Sequence, residues 1–265
     1  MSYRKICGWA LTEREVGSNS TRLGTTFKWE GKGWVLDGNK RWIGNGVNDY
    51  LIVFGKTEGK GIEEVVGALL EVGTKGISSE KIPNKYCFRV VQNAQVELKG
   101  VKVPPEAMLP GAASYKTGVE ATILHSRLIV IWNTVGACLG IYKQALREAC
   151  SRSQFGRSVA SKQLVQMKLV SLMGEVQTLL LAAWRLSELG ERIEMGTVAM
   201  FKAWSSSRGR IVAALGREIE ASRGMSGNGL MRKLLDMEVM HTYEGSYEIN
   251  ALLGGSQLTG IRAFL

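Results

Sequence analysis

All four prolines of the 265-residue chain, Pro83, Pro104, Pro105 and Pro110, fall between positions 83 and 110, and none follows. Proline removes a backbone donor and breaks helices, so the long proline-free remainder is where uninterrupted helices can form. Apolar residues there recur at helical spacing: Leu164, Met167, Leu169, Leu172 and Met173, then Val176, Leu179 and Leu180, with 197–215 behaving alike. The pattern predicts three or four helices packed as a bundle and joined by short loops such as Gly190-Glu191.

Before the proline cluster the grammar changes. Short stretches rich in β-branched and aromatic residues, 25–29, 34–36, 50–54, 65–72 and 94–98, are separated by glycine-containing turns. Trp29-Glu30-Gly31-Lys32-Gly33-Trp34 predicts a hairpin, and Gln95-Val96-Glu97-Leu98 alternates with the period of a strand. A compact antiparallel β domain over about 7–112 follows. The expected fold class is α+β, with a β domain at 1–112 and a helical bundle domain at 113–265.

With 45% hydrophobic and 22% charged residues the chain has enough apolar content to fold, which excludes a disordered or collagen-like polymer. Lysine and arginine outnumber aspartate and glutamate 34 to 24, and the net charge of +10 favours phosphate-rich partners. Nothing denser than Lys40-Arg41 concentrates that charge, so the basic stripe of a nucleic-acid binder is not expected. Cys7, Cys87, Cys138 and Cys150 form no CxxC pair, and His125 and His241 are the only histidines, so no metal site is expected and the thiols are read as buried in a reducing compartment. The longest apolar run, 178–184, is closed by Arg185, so no membrane span is expected. The start, MSYRKICGWA, lacks the apolar region of a secretory signal, and Ala263-Phe264-Leu265 is not a Ser-Lys-Leu type peroxisomal address.

Four segments carry residues suited to chemistry. Leu11-Thr12-Glu13-Arg14-Glu15-Val16-Gly17-Ser18-Asn19 offers hydroxyls and a glycine that lets backbone amides approach an anion, although these are also ordinary turn residues. Gly38-Asn39-Lys40-Arg41-Trp42-Ile43-Gly44 sets a tryptophan between a basic pair and a flexible loop, where a half-buried core tryptophan is the plainer explanation. Arg152-Ser153-Gln154-Phe155-Gly156 pairs a guanidinium with an aromatic ring, or ends a helix with glycine. His241-Thr242-Tyr243-Glu244-Gly245-Ser246 places one carboxylate at a helix-to-loop junction, suited to general-base work but equally to plain solvation.

Taken in order, these segments resemble the acyl-CoA dehydrogenase and oxidase family; Val103-Pro104-Pro105-Glu106 and Gly227-Asn228-Gly229 extend the likeness along nearly the whole chain. Ile82-Pro83-Asn84-Lys85, Val91-Gln92-Asn93, Gly140-Ile141-Tyr142 and Thr259-Gly260-Ile261 look most similar to the plant peroxisomal short-chain acyl-CoA oxidases, with glutaryl-CoA dehydrogenases next. The resemblance implies the family's middle β domain and C-terminal four-helix bundle, with no counterpart here to its N-terminal helical domain.

It also implies an activity: FAD-dependent conversion of a short-chain acyl-CoA to trans-2-enoyl-CoA in fatty acid β-oxidation. Glu244 stands where the family keeps the base that removes the α-proton while the β-hydrogen leaves as hydride to the flavin, and Arg127 where an arginine supports the catalytic loop. Trp9, Leu11, Thr12, Gly17, Ser18, Trp42 and Gly44 match the segment around the flavin ring and pyrophosphate. Arg152, Gln154 and Phe155 match the segment that grips the FAD of a neighbouring subunit, which implies a homo-oligomer with shared FAD. Gln163, Gly227, Asn228, Ser246 and Glu248 correspond to further FAD contacts; Ser18, Tyr243 and Gly245 correspond to acyl-CoA contacts.

Some positions depart from the family pattern. Gly44 stands where many dehydrogenases have threonine, Ser256 where many relatives have arginine, and Arg14 where proline is usual. Gly44 favours an oxidase that passes electrons to dioxygen and makes hydrogen peroxide, with a peroxisomal location by resemblance and a mitochondrial one as the alternative. The competing expectations are a dehydrogenase that hands its electrons to electron-transfer flavoprotein, and a catalytically silent relative, truncated at its N-terminus, that acts only in subunit association.

Overall fold

The structure, a computed structural model, describes residues 4–58 and 64–263. The chain divides after Thr122 into two compact units. Phe264 and Leu265, compared above with a peroxisomal address, lie outside the described residues.

The first unit holds one seven-stranded sheet built from β1 (Cys7–Ala10), β2 (Thr26–Trp29), β3 (Trp34–Gly44), β4 (Tyr50–Glu58), β5 (Val65–Glu71), β6 (Ile77–Lys81) and β7 (Asn93–Val103). The expected hairpin joins β2 to β3, with Trp29 opposite Trp34 and Gly31 at φ 67° in the turn. Inward-facing Phe27, Leu36, Ile43, Leu51, Val53, Val96 and Leu98 pack into its core, the alternation that period-two patterning predicts. β1 and β6 were not legible in the sequence. The first is four residues long with a glycine, and the second, ISSEK, is a mostly polar strand at the end of the sheet. β3 runs further than its apolar start at 34–36, because two register shifts against β7 carry Asp37, Asn39 and Arg41 along it.

Most ladders are antiparallel, but β1 and β2 both run parallel to β4. Their registers explain why: β1 pairs residues 50–53 of β4 and β2 pairs residues 56–58 of the same strand, whose other edge is taken by β5. β1 and β2 are thus two pieces of one track, and residues 11–25 between them leave the sheet and return almost where they left. Lys56 N donates to the Thr25 carbonyl at 2.9 Å, closing the base of this loop.

The second unit contains the long helix α1 (Ala121–Ser151), then α2 (Gln163–Leu189), α3 (Met195–Glu220), α4 (Met231–Thr242) and α5 (Tyr247–Thr259). α3 is central and packs against α2, α4 and α5. Its glycines admit close approach: a Cβ on Gly209 would meet Met237 Sδ at 2.9 Å and Thr134 Cγ2 at 3.0 Å, and one on Gly216 would meet Ile141 Cγ2 at 2.5 Å. Where a fourth long helix was expected, α4 and α5 are separated at 243–246, and Ser246 caps α5 by accepting from Ile249 N.

Two expectations need correction. The apolar period in α2 does not mark one buried face: Leu172, Val176 and Leu179 are buried, whereas Leu164 and Met167 are exposed. Two helices, Tyr115–Ser151 and Gln163–Arg192, are long and apolar enough to cross a membrane by length and composition alone. Both belong to the bundle, and α1 buries Arg127 and Glu148 within it. Only Cys138 is a buried thiol, pushed up to about 12 by burial; Cys7 and Cys150 are exposed and Cys87 half-buried.

Candidate functional site

In the first unit, the excursion at 11–25 is pinned by a buried ion pair. Lys40, fully buried on β3, donates from Nζ to Glu13 Oε1 at 2.7 Å and to the Leu11 carbonyl at 3.0 Å. Glu13 also accepts from the backbone N–H of Gly24 at 2.6 Å and of Thr25 at 3.1 Å, so one carboxylate ties the start of the excursion to its end. Burial lowers Lys40 to about 8 against the pull of Glu13. For Glu13, burial pushes upward, but the Lys40 charge, its hydrogen bond and those from Thr25 and Gly24 together hold the carboxyl below its ordinary value. Arg41 N donates to the Thr12 carbonyl at 2.8 Å, which brings the excursion beside the bulged part of β3.

That bulge carries Trp42 at φ 63° with 51% of its surface exposed. A core tryptophan does neither, so the plainer explanation of this residue is set aside. A Cβ placed on Gly44 would meet only Val91, at 3.7 Å from its Cγ1. Gly8 on β1 packs under it, close enough that a Cβ would meet the Gly44 carbonyl at 2.9 Å. Leu11 is buried and Thr12 half-buried, while Gly17 and Ser18 are exposed on the excursion. The Trp9 ring packs on Phe54, with centroids 4.4 Å apart.

In the second unit, Glu244 sits between α4 and α5 at φ 54°, followed by Gly245 at φ 82°. Two successive positive φ values turn the chain sharply and leave the Glu244 side chain half-buried. One carboxylate oxygen accepts from Ser126 Oγ at 2.6 Å. Arg127, buried, holds the backbone of this residue: Nε donates to the Glu244 carbonyl at 3.2 Å. Lys202 Nζ donates to the Gly245 carbonyl at 2.6 Å, and Asn250 Nδ2 to the carbonyls of Glu244, Gly245 and Ser246 at 3.3, 2.7 and 2.9 Å. Burial and then the Arg127 charge lower Lys202 to about 8, with Glu244 and Glu248 pulling the other way.

The remaining candidates are spread over this unit. Tyr243 is half-buried beside Glu244, with its hydroxyl on Met240 Sδ at 3.2 Å and its ionisation pushed up by burial. Ser246 and Glu248 occupy the cap and first turn of α5, where hydrogen bonds from its own backbone N–H and from Ser246 lower Glu248. Arg152 follows α1, and its guanidinium donates to the Glu220 and Ile219 carbonyls at the end of α3, at 3.3 and 3.4 Å. Two short strands, β8 (Ser153–Gln154) and β9 (Arg157–Ser158), form a hairpin, so the alternative of a glycine helix cap is set aside. Phe155 and Gly156, at φ 52° and 72°, make its two-residue turn, and Phe155 is 93% exposed. Gln163 is exposed at the first position of α2; Gly227 and Asn228 are exposed before α4, where the Asn228 carbonyl accepts from Gln144. Among the described residues no group of three His, Cys, Asp or Glu side chains is placed to hold a metal ion.

Ser126, Lys202 and Asn250 escaped the sequence reading. Each is remote from Glu244 in the chain or polar in an unremarkable context; the one available signal was Lys202, a charge on the apolar face of an otherwise regular helix.

Residues 8–101 match the acyl-CoA dehydrogenase middle domain and residues 117–258 the acyl-CoA dehydrogenase C-terminal domain. The chain belongs to the acyl-CoA dehydrogenase family. It is 25% identical to the cyclohex-1-ene-1-carbonyl-CoA dehydrogenase of Geobacter metallireducens, over 94% of this chain and 67% of that protein. The solved glutaryl-CoA dehydrogenase from Mycobacterium smegmatis is similar with a TM-score of 0.92 and 30% identity, covering 98% of this chain and 67% of that one. A second glutaryl-CoA dehydrogenase structure from the same organism, in complex with FADH2, is similar at 0.92 and 26% identity over 98% and 67% of the two chains. This chain spans about two thirds of the length of these relatives.

Proposed function

We propose that the chain is an FAD-dependent enzyme that converts a short-chain acyl-CoA to its trans-2-enoyl-CoA, with Glu244 as the base. The observation that carries this is the Glu244 turn: a half-buried carboxylate at positive φ, its backbone held by a buried arginine and its oxygen met by one serine hydroxyl. A carboxylate so placed has a free lone pair for an acidic C–H once the Ser126 bond yields. Glu244 takes the α-proton of the thioester, and Arg127 keeps the turn from recoiling as the charge on the carboxylate changes. Tyr243 and Gly245 flank the acyl chain.

The first unit fits a flavin on its own geometry. Trp42 presents an exposed aromatic ring from a left-handed bulge, and near it Gly44 carries no side chain, with Val91 as the nearest group its Cβ would meet. Trp42, Thr12, Gly17 and Ser18 would hold the FAD, which supplies the acceptor for the β-hydrogen. Arg152, Gln154 and Phe155 would meet the dinucleotide of a second copy. Phe155, exposed at the turn of its hairpin, supports that role. The chain is therefore read as a homo-oligomer.

Gly44 supports an oxidase of the short-chain peroxisomal kind, since the missing side chain there leaves room for dioxygen. The dehydrogenases among its relatives support instead an enzyme that hands electrons to electron-transfer flavoprotein. Aerobic and anaerobic turnover of Gly44→Thr separates the two: loss of peroxide yield in the variant supports the oxidase, and an unchanged yield removes it. The activity itself is tested by the visible spectrum of the FAD-loaded chain before and after butyryl-CoA. Bleaching of the flavin band is expected; a chain that takes up no FAD, or whose band never bleaches, overturns the assignment. Glu244→Gln should keep the flavin and lose turnover by about 10²–10⁴-fold.

A further inference from the structure

We infer that Lys202 and Asn250 are positioning residues that lock the Glu244–Gly245 turn in its left-handed form and thereby aim the Glu244 carboxylate; this rests on the assignment of Glu244 as the base.

Lys202 is fully buried in α3, where an aliphatic side chain would fill the same space at less cost. Its hydrogen bond goes to the Gly245 carbonyl, and a carbonyl offsets less of the burial of an ammonium than a carboxylate does. Asn250, equally buried in α5, gives its amide to three successive carbonyls, 244 to 246. Those three contacts also fix which way the amide points, because the flipped form would set Oδ1 against carbonyl oxygens. With Arg127 from α1, three helices send donors to one side of a single turn.

Glutamate at positive φ is a strained conformation that persists only where its surroundings determine it. The clasp does so. It also leaves no space for another residue at 245, where a Cβ would meet Asn250 Nδ2 at 2.9 Å and Arg127 Nη2 at 3.2 Å. In a planar trans peptide the N–H points opposite to the C=O, so drawing the 244 and 245 carbonyls into the bundle turns the N–H groups of Gly245 and Ser246 outward. The clasp therefore sets both the direction of the base and the polarity of the backbone around it.

The test uses the whole chain and two variants, Lys202→Met and Asn250→Ala, with circular dichroism melts to establish that each folds. The first readout needs no cofactor: cleavage between Glu244 and Gly245 by a glutamate-specific protease, followed by mass spectrometry. A clasped turn resists, so the variants should be cut there about tenfold faster, in line with a local opening equilibrium, while other glutamate sites keep their rates. The second readout is turnover of the FAD-loaded chain. A misdirected base should lower kcat by about tenfold to a hundredfold, with KM for butyryl-CoA and flavin content unchanged and a larger α-deuterium isotope effect. If Lys202→Met does not fold, Asn250→Ala carries both readouts. Unchanged cleavage in a folded variant overturns the clasp, as does a loss of kcat that only follows loss of flavin and of melting temperature. Faster cleavage of the variants, with a wild-type chain that takes up FAD but never bleaches it, upholds the clasp and rejects the base.

Discussion

Lys40 and Glu13 make the clearest single-residue demand on the fold. Removing one partner strands a buried charge, so Lys40→Met should destabilise the first unit by about 3–5 kcal/mol in urea unfolding, and adding Glu13→Gln should restore much of it. The pair also gives the chain an alkaline signature. The folded state holds Lys40 near 8 and the unfolded chain near 10.5, so between those values the unfolded chain binds more protons and stability rises with pH. The wild type should therefore gain stability relative to Lys40→Met as pH climbs through that window; a difference flat with pH would refute the buried ammonium. At this scale the sequence spoke unevenly. Glu244 and Trp42 stood out within recognisable motifs, whereas Ser126 and Asn250 acquire meaning only from what the folded backbone brings beside them. Trp42 also shows why composition misleads: an aromatic residue in a strand is expected inside, and only its positive φ turns it out.

The helices were visible from their period, and their ends were less so. Nothing in Tyr243-Glu244 forbids a helix, and the separation of α4 from α5 rests on Gly245, the Ser246 cap and donors that arrive from α1 and α3. The α2 pattern was over-read in the opposite sense, since periodicity reports an apolar stripe without saying what covers it. One closely packed face is α1 on α3, where Gly216 meets Ile141. Gly216→Val should cost about 1–3 kcal/mol or more through overpacking, detectable as a lower thermal midpoint. Met167→Ser, on the exposed part of α2, should leave that midpoint unchanged when measured on dilute chain.

For the molecule as a whole, the division into a sheet unit and a helical unit was legible because one feature, proline placement, reflects what each can tolerate. The sheet's parallel pairings were not legible, because hairpin signals report only neighbours in sequence. If Phe155 serves a second copy, light scattering of the FAD-loaded chain should give a multiple of 29.0 kDa, and Phe155→Asp should lower both that mass and flavin retention on dilution. Monomer mass with FAD fully bound would reject the shared arrangement. The excursion at 11–25 has a different import. Because it departs from and rejoins the same edge of β4 within a few residues, the sheet's registers are indifferent to its length and content. Insertion there changes closure entropy only slowly. A lineage is therefore free to rewrite this loop while inheriting the scaffold intact, provided one acid and one lysine are kept to moor it.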